Sequence, residues 1–151
     1  MIQSKLGFTG ESIFSIMTAL AQSHDAINLA QGFPGFDPDP RIFEYTQAAM
    51  QAGENQYAPM RGMPALNAFL CQMLNEEYGA QLQPNINLTV TAGATQALFT
   101  AITALVHPGD EVIVFDPAYD CYKPAIQLAG GHVKSLSLDD NFRIPWNKFE
   151  D

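Results

Sequence analysis

The sequence has few cysteines and few basic residues, and each scarcity narrows the possible functions. Only Cys71 and Cys121 occur, and neither stands in a Cys/His spacing typical of a zinc motif. We therefore expect no disulfide framework and no metal site. Seven Lys and Arg residues stand against 16 Asp and Glu, which gives a formal net charge of -9. Because phosphate backbones are bound by clustered basic residues, we expect no nucleic acid among the partners.

Long apolar runs are missing as well. Residues 80–106 carry no charged side chain, but Asn, Gln and Thr interrupt them throughout, whereas a membrane span of that length would be mostly apolar. The first residues, MIQSKLGFTG, lack the apolar segment of a secretory signal. We expect no membrane among the partners and a cytoplasmic location.

What remains is a globular composition, with 47% apolar and 15% charged residues in a length that suits one domain. Apolar spacing and capping residues predict helices over 11–22, from Asp39 to about Gly53, over 64–78, over 94–106, and over a stretch ending at 130–131. In the third helix we expect Cys71 in the core and one apolar face made of Leu66, Phe69, Leu70, Met73 and Leu74.

Three segments are predicted to be strands: 86–91, 111–115 and 132–138. Strands that alternate with helices are typical of an α/β fold with a parallel sheet. Three such strands leave open edges, and a further amphipathic helix is expected to begin at 144–149. We interpret the chain as the front part of a larger protein.

Gly93, Ala94 and Thr95 follow the first predicted strand and begin a helix, so the first N–H groups of that helix lack partners within it. The positive end of the helix dipole favours a phosphate there, and the Thr95 hydroxyl adds a donor. The alternative is an ordinary strand–helix turn with a capping threonine, because neither G-x-G-x-x-G nor a P-loop lysine is present.

Tyr119 lies in FDPAYDCY (115–122), directly after the next predicted strand. Ligands of parallel sheets bind beyond the carboxyl ends of the strands, so residues 93–95 and 117–121 are expected to face one crevice. Tyr119 would present an aromatic ring there, suited to stacking on a planar cofactor. The alternative is that Tyr119 and Tyr122 are half-buried packing residues.

Four segments in order, NLAQGFP, NQYAPMRGMPAL, VTAGATQAL and GDEVIVFDPAYDCY, resemble the start of the class I/II aminotransferases, in particular the methionine and kynurenine aminotransferase branch. The resemblance covers residues 14–146. It implies the α/β fold of the transferases that depend on pyridoxal 5'-phosphate (PLP). Residues 1–44 would form an N-terminal arm and small-domain segment, and residues 45–151 the first, incomplete part of the parallel-sheet large domain.

The resemblance also assigns residues to the cofactor. Gly93, Ala94 and Thr95 match the family's phosphate-binding turn, and Tyr119 matches the aromatic residue that stacks on the pyridine ring. Tyr57 matches a tyrosine that reaches the phosphate of the partner subunit, which implies a homodimer with shared active sites.

Substrate residues are implied in the same way. Gly32, followed by Phe33, matches a loop whose backbone approaches the substrate carboxylate. Phe14 stands where the family places an aromatic residue that lines the side-chain pocket. Gly35 departs from the family, in which an acidic residue often follows the Gly-Phe-Pro. This departure bears on how rigid the loop is and not on the assignment of the loop.

No catalytic residue is assigned within the chain. Moving an amino group from an amino acid of methionine or aromatic type to a 2-oxo acid needs a lysine that binds the cofactor, a carboxylate at the pyridine nitrogen and an arginine for the substrate carboxylate. In the family all three come after the matched part, so the chain alone is expected to be inactive. Two alternatives stay open: a non-catalytic chain that binds a phosphate ligand or a partner, and part of a PLP carbon–sulfur β-lyase.

Overall fold

A computed structural model describes residues 4–7 and 10–148, and its helices and parallel strands confirm the α/β class. The elements in chain order are α1 (Ile13–Ser23), α2 (Pro40–Gln51), α3 (Pro64–Tyr78), α4 (Ala94–Leu105), β1 (Glu111–Asp116), α5 (Tyr122–Ala129), β2 (His132–Ser137) and a 3-10 turn (Trp146–Lys148). The described residues form two compact units, one of residues 17–91 and one of the residues from 92 onward together with those up to 16. The predicted domain boundary at residues 44–45 stays a prediction.

The helix ends in the unit of residues 17–91 follow local capping signals. The Asp39 carboxylate accepts a hydrogen bond from the Arg41 N–H at 2.9 Å, and Pro40 occupies the first helical position of α2. Gly79 ends α3 in a left-handed conformation with φ +64°. These helices were predicted correctly because their caps lie within a few residues of the sequence.

The buried face of α3 differs from the predicted one. Cys71 is 2% exposed, as expected, but Asn67 is buried to the same degree, and its Nδ2 donates to the Arg61 carbonyl at 2.9 Å. Asn75 forms hydrogen bonds with both the N–H and the carbonyl of Leu82. These amides fix the rotation of the helix, and three residues of the predicted apolar face are exposed: Leu66, Phe69 and Met73.

The predicted strand over 86–91 is wrong. Residues 84–87 form a turn, in which the N–H groups of Ile86 and Asn87 donate to the Gln83 carbonyl, and residues 88–91 belong to no sheet of the described part. The Val90 N–H donates to the Arg61 carbonyl, which lies in a turn. Alternation shows which side chains a strand could bury, but a strand also needs a neighbouring backbone with which to form a ladder.

The sheet of the second unit is parallel, as predicted, but it has two strands in the described part instead of three. The strands β1 and β2 pair from Glu111 opposite His132 to Asp116 opposite Ser137. Both begin and end within one residue of the predicted bounds. The helix α5 connects them, packs against both and also contacts α4.

The small core of this unit lies where α5 meets the sheet. Val114, Ala125 and Ile126 are at most 5% exposed. The second of the two glycines that follow α5 is required by close packing: a Cβ on Gly131 would lie 2.7 Å from the Val106 Cγ1 atom. Of the two glycines, Gly130 therefore caps the helix and Gly131 avoids a steric clash.

No residue of α4 is fully buried. Leu98 and Ile102 are half-buried, whereas Leu105 is 74% exposed and both Ala97 and Ala101 are exposed. The predicted helix over 144–149 is a single 3-10 turn, Trp146–Lys148, and residue 149 lies outside the described residues.

Candidate functional site

The first turn of α4 is the first part of the candidate site. Gly93 precedes the helix with φ +86° and ψ 165°, a conformation available almost only to glycine. The N-cap residue Gly93 has no side chain with which to cap this helix end, and the first turn of the helix contains no acidic residue. The N–H groups of Ala94 and Thr95 therefore face the end of the helix, where the dipole favours an anion.

The neighbourhood of this turn leaves room for a ligand. A Cβ built on Gly93 would meet no atom within 4 Å. The backbone just before the turn is tied down, because the Gln96 side-chain carbonyl accepts a hydrogen bond from the Ala92 N–H at 2.6 Å. The result is a fixed backbone corner with open space beside it, which is what a phosphate requires.

Tyr119 is the second part of the site. It lies in the loop of residues 117–121, between the end of β1 and the start of α5. Its hydroxyl is 2.9 Å from the Thr95 hydroxyl, and either group can donate. The structure thus brings together two residues that the sequence placed on one crevice, 24 positions apart.

The ring of Tyr119 is held from the side as well. It packs edge-on against the ring of Tyr122, with centroids 5.9 Å apart and planes at 80°. The Tyr122 N–H also donates to the Tyr119 carbonyl at 3.3 Å. Tyr119 remains 42% exposed, so the packing interpretation and the ligand interpretation are compatible: one part of the ring packs and another part is accessible.

An ion pair at the base of this loop was missed by the sequence analysis. The Lys123 Nζ atom lies 2.8 Å from the Asp116 Oδ2 atom, with side-chain exposures of 41% and 30%. The Lys123 ammonium, and after it the Ser135 hydroxyl, hold the pKa of the Asp116 carboxyl below its usual range. The available signal was an aspartate on the last residue of a strand followed by a lysine at the start of the next helix.

The remaining predicted site residues lie elsewhere in the chain. Tyr57 is fully exposed, in the loop between α2 and α3, and Phe33 is 65% exposed in the loop between α1 and α2. Gly32 adjoins Phe33 and has open space where a Cβ would be. Phe14 is half-buried in the first turn of α1. Their roles stay predictions.

Thiol and metal chemistry find no support in the described residues. Burial, and then the charge of Asp120, raise the pKa of the Cys121 thiol, so this group is protonated at neutral pH and a poor nucleophile. Within residues 4–7 and 10–148, no cluster of His, Cys, Asp or Glu is suited to a metal ion. None of the helices described is long and apolar enough to cross a bilayer.

The donor set of the candidate site fits a phosphate joined to an aromatic ring. Backbone N–H groups at a helix start and a hydroxyl are the donors that phosphate oxygens accept. A partly exposed tyrosine ring beside them offers a surface on which a planar ring stacks. Ala94, Thr95 and Tyr119 are thus able to hold a cofactor of the PLP type.

The sequence and the fold both match known proteins. Residues 24–151 match the family model described as "Aminotransferase class I and II". The chain is 52% identical over 148 residues to a methionine aminotransferase of Escherichia coli, an alignment that covers 97% of this chain and 38% of the relative. It is 43% identical over 121 residues to human kynurenine–oxoglutarate transaminase 1, covering 79% of this chain and 29% of the relative.

A crystal structure from Escherichia coli, described as identifying a methionine aminotransferase function, matches the fold with a TM-score of 0.92 and 51% sequence identity. The match covers 99% of this chain and 39% of that one. The chain therefore spans little more than a third of the length of the relative and of the solved chain that it matches in Escherichia coli.

Proposed function

The chain belongs to the class I and II aminotransferases, as its motifs predicted, and on that premise we propose that the whole protein is an aminotransferase. This family is PLP-dependent. The proposed reaction moves an amino group from an amino acid of methionine or aromatic type to a 2-oxo acid. The donor class follows the methionine aminotransferase and the kynurenine transaminase to which the chain is similar.

In this proposal Ala94 and Thr95 hold the cofactor phosphate through their N–H groups, with the Thr95 hydroxyl as a further donor. Gly93 leaves the space that the phosphate needs, and Tyr119 stacks on the pyridine ring. The observation that carries the proposal is the 2.9 Å hydrogen bond between the Thr95 and Tyr119 hydroxyls. It supports the assignment because it holds an aromatic ring beside the start of α4, where Gly93 offers no side chain as a cap.

The contribution of these residues is binding and orientation. When bound, PLP supplies an electron sink that makes the α-carbon proton of an amino acid acidic. The α4 N-terminus favours the charged phosphate over water through fixed N–H dipoles. Tyr119, held by Thr95 and Tyr122, restricts the tilt of a ring placed against it.

We propose Tyr57 as a contact to the phosphate of a partner subunit, in a homodimer with shared sites. Its full exposure in this chain is compatible with such a role, since a side chain that serves another subunit projects away from its own. A single protomer would then carry a cradle whose last phosphate donor comes from its partner.

At the substrate end we propose that the backbone at Gly32 and Phe33 approaches the substrate carboxylate and that Phe14 lines the side-chain pocket. The loop is anchored at its start, where the Asn28 side chain donates to the Thr18 hydroxyl at 3.1 Å and accepts from the Ala30 N–H. We further propose the domain division at residues 44–45 and a cytoplasmic protein that binds neither nucleic acid nor membrane.

The test is turnover by the whole protein with PLP, L-methionine or L-kynurenine, and a 2-oxo acid acceptor. We expect the 2-oxo acid of the donor to form while the acceptor is consumed in equal amount. Release of pyruvate and a thiol from a sulfur amino acid, without consumption of acceptor, would instead identify a β-lyase. Binding of PLP or inorganic phosphate without either reaction would favour a non-catalytic chain.

A further inference from the structure

The loop of residues 117–121 presents Tyr119, and its two ends are joined by the Asp116–Lys123 ion pair. Asp116 is the last residue of β1, and Lys123 lies in the first turn of α5. Their side chains meet at 2.8 Å across seven positions of sequence. A short loop closed in this way has fewer conformations than one whose ends are joined by the backbone alone.

The pair is supported from the sheet. The Ser135 hydroxyl, on the neighbouring strand β2, also favours the charged form of Asp116 and so lowers the pKa of its carboxyl. The Leu138 N–H donates to the Asp116 carbonyl at 2.9 Å. Asp116 is therefore fixed to β2 through its backbone, and Lys123 ties the start of α5 to that fixed point.

Tyr119 depends on the same end of α5. The residue that packs edge-on against its ring, Tyr122, is the direct neighbour of Lys123 in the chain. Any movement of the first turn of α5 would move the Tyr122 ring and the backbone N–H that contacts the Tyr119 carbonyl. Such a movement would also strain the Tyr119–Thr95 hydrogen bond at the helix start.

We propose that Lys123, through its ion pair with Asp116, is a positioning residue that holds Tyr119 against the ring of the cofactor. The proposal rests on the proposed function, since it requires a PLP ring at Tyr119. Its physical basis is preorganisation: a side chain already held in the bound geometry loses less conformational freedom when the ligand binds. Lys123 also neutralises a carboxylate that would otherwise repel an anionic cofactor near this loop.

The same strand provides a matched control. Lys134, on β2, and Glu111, the first residue of β1, form an ion pair at 2.7 Å, with side-chain exposures of 57% and 64%. Lys134→Gln removes one positive charge and one ion pair from the same sheet, as Lys123→Gln does. It leaves the loop that carries Tyr119 untouched.

The experiment compares Lys123→Gln, Lys134→Gln and the unchanged whole protein by PLP dissociation constant and by the induced circular dichroism of bound PLP. We expect Lys123→Gln to weaken PLP binding by about three- to tenfold, the effect of losing one partly exposed charged hydrogen bond. The dichroism per bound PLP should also fall. Lys134→Gln should change the dissociation constant less than twofold and leave the dichroism unchanged, because its exposed ion pair lies outside the Tyr119 loop.

Two further variants separate positioning from a general loss of structure. Lys123→Arg keeps the charge and should restore most of the dichroism and affinity. Asp116→Asn combined with Lys123→Gln removes both charges; it should regain part of the affinity, because no unpaired carboxylate remains, but not the dichroism. Should Lys123→Gln not fold, the double variant is compared with Lys134→Gln in the same way.

The outcomes distinguish this inference from the proposed function. If the unchanged protein binds PLP and Tyr119→Ala weakens binding, while Lys123→Gln alters only the melting temperature, the positioning role is wrong and the proposed function stands. An equal loss in Lys134→Gln also overturns the positioning role, because the effect is then one of overall charge. If the unchanged protein does not bind PLP at all, the proposed function fails first.

Discussion

The two groups of predicted site residues differ in how the chain holds them. Thr95 and Tyr119 are joined by a hydrogen bond of 2.9 Å, and the Tyr119 ring packs edge-on against Tyr122. Tyr57 and Phe33, in contrast, are 100% and 65% exposed in loops between helices. The difference indicates that this chain alone positions the residues proposed for the cofactor. The residues proposed for the partner subunit and the substrate would be covered only when these bind.

Tyr119→Ala is the strongest test of the first group, the cofactor residues Thr95 and Tyr119 that the chain already holds in place. Removing the ring should weaken PLP binding to the whole protein by roughly 1–3 kcal/mol, the scale of lost aromatic area and stacking. Tyr119→Phe keeps the ring and should cost only about 0.5–1.5 kcal/mol, the net worth of one hydrogen bond. Equilibrium dialysis of PLP measures both, with Tyr45→Ala, an exposed tyrosine of α2, as the control. Unchanged affinity in Tyr119→Ala would remove Tyr119 from the site.

Gly93→Ala tests the backbone turn before α4, which belongs to the same cofactor site. An alanine at φ +86° and ψ 165° would be strained, so the free energy of unfolding should fall by about 1–3 kcal/mol, and phosphate affinity should fall with it. Gly35→Ala is the matched control, since Gly35 has equal open space and no positive φ. Denaturant unfolding measures the stability. Equal stability of the two variants would show that the corner does not need a glycine.

Tyr57→Phe tests the second group, the exposed residues Tyr57 and Phe33. If Tyr57 donates to the phosphate of a partner subunit, its loss should cost about 0.5–1.5 kcal/mol of PLP affinity, again one hydrogen bond. Mixing Tyr57→Phe subunits with Tyr119→Ala subunits should restore about a quarter of the sites to the original affinity, because half of the dimers are mixed and each has one intact site. No recovery on mixing would place Tyr57 and Tyr119 in the same subunit's site or outside it.

The smallest expected effect is a pH dependence at the base of the Tyr119 loop. The pKa of Asp116 lies below its ordinary value of 3.8 because Lys123 and Ser135 stabilise the carboxylate. The pair therefore stabilises the fold above the pKa of the unfolded chain, and this contribution is lost as the pH falls through the folded-state pKa. The melting-temperature difference between the unchanged protein and Asp116→Asn should be constant near neutral pH and shrink below about pH 4. A difference independent of pH would exclude the carboxylate as its source.

Local signals were sufficient for much of the fold. Asp39 and Pro40 begin α2, and Gly79 ends α3, because caps act on the nearest turn of helix. The strands β1 and β2 were also predicted within one residue, β1 from its mostly β-branched residues after a turn and β2 from the apolar and polar residues that follow the double glycine. The pairing of Thr95 with the Tyr119 loop was predicted from a rule about the ends of parallel strands, although only one of the two strands it assumed, β1, forms in the described part.

Contacts between distant residues explain what the sequence did not predict. The segment 86–91 has the alternation of a strand, but the backbone it meets at Arg61 lies in a turn. The rotation of α3 depends on Asn67 reaching the Arg61 carbonyl, a bond that no periodicity encodes. The Asp116–Lys123 pair likewise depends on where α5 begins, because Lys123 lies in the first turn of that helix.

A crystal structure of the whole protein with PLP bound tests the central claim most directly. We expect phosphate oxygens about 2.7–3.2 Å from the backbone nitrogens of Ala94 and Thr95, the usual hydrogen-bond distance, with the pyridine ring stacked on Tyr119. A phosphate bound at another site, with the first turn of α4 facing only solvent, would contradict it.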